Sequence, residues 1–450
     1  MKNEELGMKN EKLNSYFEKD GFRKLITPGS KGWINKYFDL VEKGELSLKT
    51  VRPEGMRKLD FMHRTFANSG IIYGFASSFI FAKNIDSSDW TSEEKLKFLL
   101  FEAHLFTYQQ IKNAQSFNRE DFTTDLCVFY ESHSVSSISK LFSLFGKVSK
   151  EEMIEKTLAK RVDISFNLLE NKWWVNSLSN AFSFLDVILF DDFVHKKREE
   201  ALQGYNLYAI NAMLAVILSA HSDGIIEDQE RSIFNVFLAS ANLEDAERDY
   251  LKNKFENGAS MDDFSFFVKN HWLLKRFLLD ISILTAISND ILVDAELDYL
   301  IKLCFFLEIP PEELQDNLVL TESFLLNSEN KIEFIKDSSS YKKAYSSLSS
   351  RWTKVILRNK DKLSVELKQS KELIFLVKKS ATHELTKKEK ELVKTQFKDI
   401  AKSVPSLAIF LLPGGALLLP LVLKIVPDLV PSAFKENEIE EGNGGENPSV

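Results

Sequence analysis

Apolar residues recur at three- and four-residue spacing through most of the chain, the period of a helix with one buried face. Leu96, Leu99, Leu100 and Ala103 form such a stripe, and Thr91 with Glu94 supplies a capping box just ahead of it. A second stripe runs through Ile71, Phe75, Ser78 and Phe79, and a third apolar run spans Phe182 to Phe190. Asp125 to Tyr130 (DLCVFY) fits a strand, although no hairpin partner accompanies it. Residues 1–195 are therefore expected to form a helical domain whose role the pattern does not disclose.

The middle of the chain repeats itself. Ile217 to Glu230 (ILSAHSDGIIEDQE) returns as Ile283 to Glu296 (ILTAISNDILVDAE), 66 residues later, with identity at half of the fourteen positions. Each copy reads as an apolar helix, a polar turn and a second helix. Ile233, Phe234, Phe237 and Leu238 supply the inner face of that second helix in one copy, and Leu297, Leu300, Ile301 and Cys304 in the other. Two related helical hairpins packed together make a compact unit over 200–330, with neither hairpin stable alone.

Further on, periodicity gives way to twenty residues without a charge, Val404 to Leu423 (VPSLAIFLLPGGALLLPLVL). A helix of that length spans about 30 Å, the thickness of a bilayer's hydrocarbon core. Pro405, Pro413, Gly414, Gly415 and Pro420 would break a helix in water, which leaves a buried hairpin as the rival reading, but a bilayer tolerates such breakers where neighbouring groups satisfy the backbone. Ahead of the run, a second capping box, Thr386 with Glu389, starts a helix that carries Leu392, Val393, Phe397 and Ile400 inward. Lys387, Lys388, Lys390, Lys394, Lys398 and Lys402 are distributed around that helix.

Charge sharpens this reading. The chain of 450 residues carries a net −8, yet Lys342 to Lys402 holds 17 Lys and Arg against 7 Asp and Glu. A basic stretch before an apolar span marks the cytoplasmic side and suits anionic headgroups. Lys387, Lys388, Lys394, Lys398 and Lys402 are the expected lipid or ribosome contacts. A Ser-rich stretch, Asp337 to Trp352, opens a hinge and basic juxtamembrane region over 337–403. Residues 404–434 follow as the membrane segment and 435–450 as an acidic, disordered tail. The start of the chain has no apolar core and so no secretory signal. The bulk is expected in the cytoplasm, held by a single pass to the cytoplasmic membrane. Cys127 and Cys304 stand in unrelated contexts and offer neither a disulfide framework nor a zinc knuckle.

Two resemblances follow from these motifs. The turn S-D-G-I-I-E-D-Q-E after an Ala-rich apolar helix resembles the TerB-like domains of tellurite resistance, small all-helical units. That resemblance implies cation binding through acidic residues, here Asp223, Glu227, Asp228 and Glu230 with Asp294 and Glu296 in the second copy. Glu384 to Phe434 is similar to the segment that enters and crosses the inner membrane in the Letm family of mitochondria. The matching elements are L-T-x-x-E-K at Leu385 to Lys390, V-P at Val404 and Pro405, L-L-L-P-L at Leu417 to Leu421 and K-I-V-P-D-L-V-P-S-A-F at Lys424 to Phe434. Together they resemble the bacterial Letm-related biofilm-associated proteins: an all-α fold with a helical N-terminal domain, a TerB-like domain of two hairpins, a basic helix and one membrane span. The family implies cation homeostasis and ribosome association. With only sixteen residues after Phe434, the ribosome-binding domain that follows the span in the mitochondrial proteins is expected to be mostly missing. Exchange activity by a lone span is disfavoured, since Val404 to Leu423 holds no ionisable group.

The residues themselves argue against most chemistry. Asp223, Gly224, Ile226 and Glu230 fall at the lower half of an EF-hand loop, but Ser219, His221, Thr285 and Ile287 stand where its upper ligands belong, and Asp290 replaces the turn glycine. Capping of a helix N-terminus explains the same carboxylates. The seven His lie in no HExxH or paired Cys/His spacing, and no Gly-rich phosphate loop precedes a helix. Asp191, Asp192 and His195 have the best metal-like spacing, which a polar helix face explains equally well. Trp173 and Trp174 fit a core as readily as a contact site. The expectation is a non-enzymatic protein without cofactor. Its partners would be membrane lipids, a ribosome or envelope protein and its own copies, with no sequence-specific nucleic acid. The rival is a soluble or peripheral scaffold whose apolar run packs on itself or a partner.

Overall fold

The computed structural model describes residues 26–112, 117–133, 148–163, 178, 180–195, 204–289, 292–327, 357, 360–383 and 385–403. Every regular element among them is helical. The N-terminal part comprises α1 (Trp33–Glu42), α2 (Lys58–Ser69), α3 (Ser92–Lys112), α4 (Arg119–His133), α5 (Lys150–Val162) and α6 (Phe184–Val194). At the head of α3 the expected capping box is formed: the Thr91 N–H donates to Glu94 Oε2 at 2.8 Å and the Glu94 N–H to Thr91 Oγ1 at 3.1 Å. Leu96, Leu99, Leu100 and Ala103 are buried as the stripe requires, and α3 packs on α5 and α6. Aromatic rings fill this core edge to face, as in Trp33–Phe101 and Phe66–Phe184, both at 5.3 Å between centroids.

Two sequence expectations fail here. Asp125 to Tyr130 is helical, not a strand, because the short apolar run sits inside a longer stripe. Phe122, Leu126, Phe129 and Tyr130 recur at i, i+4, i+7 and i+8 and are all buried in α4. The stripe Ile71–Phe79 is only one 3-10 turn, Ile71–Tyr73, bounded by Gly70 and Gly74 at φ 85° and 67°. Both glycines are required: a Cβ on Gly70 would meet the Phe75 carbonyl oxygen at 2.2 Å, and one on Gly74 the Ala181 nitrogen at 2.2 Å.

Buried charges in this part are held by dense bonding. Glu102, 0% exposed, accepts the N–H groups of Ile80, Phe81 and Ala82 and the Tyr37 hydroxyl, fixing the loop ahead of α3. Burial still raises its carboxyl to about 7. Arg161 grips Asp186 with two bonds of 2.7 Å, and the Tyr130 hydroxyl donates to the same carboxylate.

The second part holds α7 (Gly204–Ala220), α8 (Asp228–Ser240), α9 (Asp245–Asn257), α10 (Trp272–Ala286), α11 (Asp294–Phe306) and α12 (Pro311–Asn327). The two predicted hairpins are α7 with α8 and α10 with α11. Their first helices form the most extensive helix pair in the fold, α7 against α10, crossing through Ala209, Ala212, Ala215 and Ser282. Ile233, Phe234, Phe237 and Leu238 are buried as predicted; in the second copy Leu300 and Cys304 are buried, while Leu297 and Ile301 are half-buried. The helices on either side of residues 195–200 share one continuous core. In it α2 packs on α10 and α12, and His63 Nε2 lies 2.6 Å from Asp280 Oδ2.

A small C-terminal unit follows, α13 (Lys360–Lys368), α14 (Lys371–Thr382) and α15 (Lys387–Ser403), each packed on the other two. Leu363, Leu367, Leu373, Val377, Val393 and Phe397 form its core. No helix of the described residues is long and apolar enough to cross a membrane. Val404, Pro405, Pro413, Gly414, Gly415, Pro420 and Leu423 lie outside the described residues, as do Trp173, Trp174 and the stretch 337–352.

Candidate functional site: the paired acidic turns and the basic helix

The turn between α7 and α8 is closed locally. Asp223 Oδ1 accepts the Ile225 N–H at 2.9 Å and Gly224 takes φ 84°, a conformation that favours glycine. Glu227 precedes α8, and its N–H is bonded by Glu230 Oε2 at 2.9 Å. In the second copy the Val293 N–H is bonded by Glu296 Oε2 at 2.8 Å. The two capping glutamates thus occupy equivalent places, and both are almost fully buried, Glu230 at 1% and Glu296 at 3% exposure. Asp228 and Asp294 are exposed in the first turns of α8 and α11, where the helix dipole favours negative charge.

Packing of the hairpins brings these carboxylates together. Burial raises Glu230 to about 7, with Asp223, Glu296 and Glu227 adding to the shift. Glu296 is raised to about 7 by the same cause, with Asp223 and Glu227 adding. The cluster holds protons near neutral pH because two of its members are buried beside like charges.

Its metal chemistry is poor. Ser219 Oγ, where the first ligand of a calcium loop would stand, is buried and donates to the Ser282 carbonyl at 2.8 Å. Thr285 Oγ1 donates to the Ile281 carbonyl at 2.8 Å, and His221 Nε2 lies 2.8 Å from the Phe255 carbonyl. Asp290 lies outside the described residues. Among the described residues no group of three or more His, Cys, Asp or Glu is placed to hold a metal ion. Both cysteines are buried thiols raised to about 12 by desolvation.

The second half of the candidate site is α15. Its capping box forms as expected: the Thr386 N–H donates to Glu389 Oε2 at 2.8 Å and the Glu389 N–H to Thr386 Oγ1 at 3.3 Å. Lys379 of α14 reaches Glu389 Oε1 at 2.6 Å, and with the Thr386 bonds it holds that carboxyl down at about 2. Val393, Phe397 and Ile400 are buried and Leu392 half-buried, so one face docks and the other faces water. Lys388 is exposed; Lys387, Lys394, Lys398 and Lys402 lie on the same helix, their side chains outside the described set.

Residues 385–445 match the family described as LETM1-like, RBD. The match begins two residues before α15 and continues through the uncharged run. Two curated proteins are similar over 79 residues. The LETM1 domain-containing mitochondrial protein mdm28 of Schizosaccharomyces pombe is 35% identical over 18% of this chain and 16% of its own length. The LETM1 domain-containing mitochondrial protein YLH47 of Saccharomyces cerevisiae is 37% identical over 18% of this chain and 17% of its own. The likeness therefore spans less than a fifth of these relatives and of the chain. No solved structure matches. The all-helical protein carries a Letm-related C-terminal segment, and the description given to that segment is a ribosome-binding domain.

Proposed function

We propose that the protein is a non-enzymatic, membrane-held factor of Letm type that supports cation or envelope homeostasis. The helical body and TerB-like hairpins stand on the cytoplasmic side of a cytoplasmic membrane, and residues 404–434 form the anchor. The basic helix between them touches anionic headgroups or ribosomal surfaces, and biofilm formation is the context that the bacterial resemblance suggests.

One observation carries this reading: the 385–445 match coincides with a capped, amphipathic, lysine-rich helix followed at once by twenty uncharged residues. A basic helix ahead of an apolar segment combines electrostatic attraction to a polyanionic surface with anchoring. Ribosomal RNA and lipid headgroups both present such a surface.

The test is affinity purification of the tagged full chain from gently solubilised membranes, with ribosomal RNA quantified at low and moderate salt. The reading expects rRNA above the level of an unrelated anchored control, falling when Lys387, Lys388, Lys394 and Lys398 are changed to Gln. Equal recovery from the Lys→Gln variant would rule the basic helix out as the contact.

A further inference from the structure

We infer that the cleft between α2, α6 and the start of α10 binds a small primary amine with an apolar body. This cleft encloses about 290 Å³ and lies apart from both the acidic turns and the basic helix. Pockets for small ligands pair an apolar lining with a few converging polar groups. Leu59, Met62 and Trp272 make the apolar wall here, and Asp191, Asp192 and Asn270 the polar one.

The polar wall lacks a cation. Asp192, 9% exposed, receives the Tyr208 hydroxyl at 2.8 Å, and His271 Nε2 lies 2.7 Å from its other oxygen. His271 is not a cation in this arrangement. Its Nδ1 caps α10 by accepting the Leu274 N–H at 3.2 Å, so that nitrogen carries no proton and the ring is the neutral Nε2–H tautomer. The buried Nε2 has no aligned hydrogen-bond acceptor despite its closeness to Asp192, leaving an unsatisfied donor in the cleft wall. Asp191 faces His195, whose Nδ1 lies 2.9 Å from the Asp191 carbonyl and 3.6 Å from its carboxylate. Among the described residues neither aspartate pairs with a lysine or arginine.

Carboxylates withdrawn from water without a cation are costly, and a ligand that supplies one is favoured. A metal does not fit, because no three donors converge. An ammonium group does: its three N–H donors match the carboxylates of Asp191 and Asp192 and the amide oxygen of Asn270. The ligand's body then covers Trp272 and the rim residue Leu59, a large apolar side chain left 41% exposed.

The probe is phenethylamine, with 2-phenylethanol as its neutral counterpart of similar shape, followed by saturation-transfer NMR on the full chain at pH 7.5. The amine should bind at least tenfold more tightly than the alcohol. Asp191→Asn should erase that preference, and Leu59→Arg, which places a tethered cation at the exposed rim, should compete the amine out while leaving the circular dichroism unchanged. Equal binding of amine and alcohol, or amine binding indifferent to both variants, would overturn the proposal. Displacement of the amine by micromolar zinc would also overturn it, in favour of a metal site.

Discussion

Replacing Glu230 and Glu296 with Gln should make the protein more stable at alkaline pH and leave it unchanged in mild acid. Both carboxyls are raised from 4.5 to about 7 in the fold. A group whose folded pKa is raised contributes stability that is fully present below its unfolded value and is lost as pH rises through the folded one. At 1.36 kcal/mol per pKa unit each glutamate alone would lose about 3 kcal/mol on deprotonation. The two repel each other and titrate as a pair, so about 2 to 3 kcal/mol for both together between pH 5 and pH 8.5 is the working figure. Gln keeps an oxygen for the Glu227 and Val293 N–H groups but cannot ionise. Helical circular dichroism during denaturant unfolding, at pH 5.5 and 8.5, gives the comparison. Glu102 titrates in the same range, and taking differences between parent and variant removes it. A double variant that is less stable than the parent at pH 8.5, or that keeps the parent's full pH dependence, would refute the argument that burial beside like charge sets these groups.

Other outcomes follow from the same structure. Arg161→Met strands Asp186 in the core and should cost about 3 to 5 kcal/mol, measured by the shift in urea midpoint. Millimolar calcium should leave the melting temperature almost unmoved, whereas a ligand at one hundred times its dissociation constant would stabilise by about 2.7 kcal/mol. Gln at Lys387, Lys388, Lys394 and Lys398 should weaken association with anionic vesicles by about 1 kcal/mol per charge at low salt, and by less as salt rises. Salt-independent vesicle binding by the parent would contradict the electrostatic reading.

Local signals carried well from sequence to structure. The capping boxes at Thr91 and Thr386 and the duplicated hairpins were legible, since each rests on neighbours within one helical turn or on a repeat period. The strand expected at Asp125 failed because six residues cannot reveal a stripe that begins at Phe122. What chain order hides is pairing between distant elements. Glu230 and Glu296 looked like separate caps, and only the contact between α7 and α10 makes them one proton-holding cluster. Asp191, Asp192 and His195 showed a suggestive spacing, but His271 and Trp272 come from another helix start and complete the cleft. The buried pair His63–Asp280 likewise had no sequence signal beyond an isolated histidine.

The most direct test of membrane attachment is alkaline carbonate extraction of membranes from cells expressing the full chain, beside a chain lacking residues 404–434. The account predicts that the full chain stays in the pellet and that the shortened chain moves to the supernatant with its helical circular dichroism intact. Full-chain protein released by carbonate would contradict the anchor and turn the reading towards a soluble scaffold.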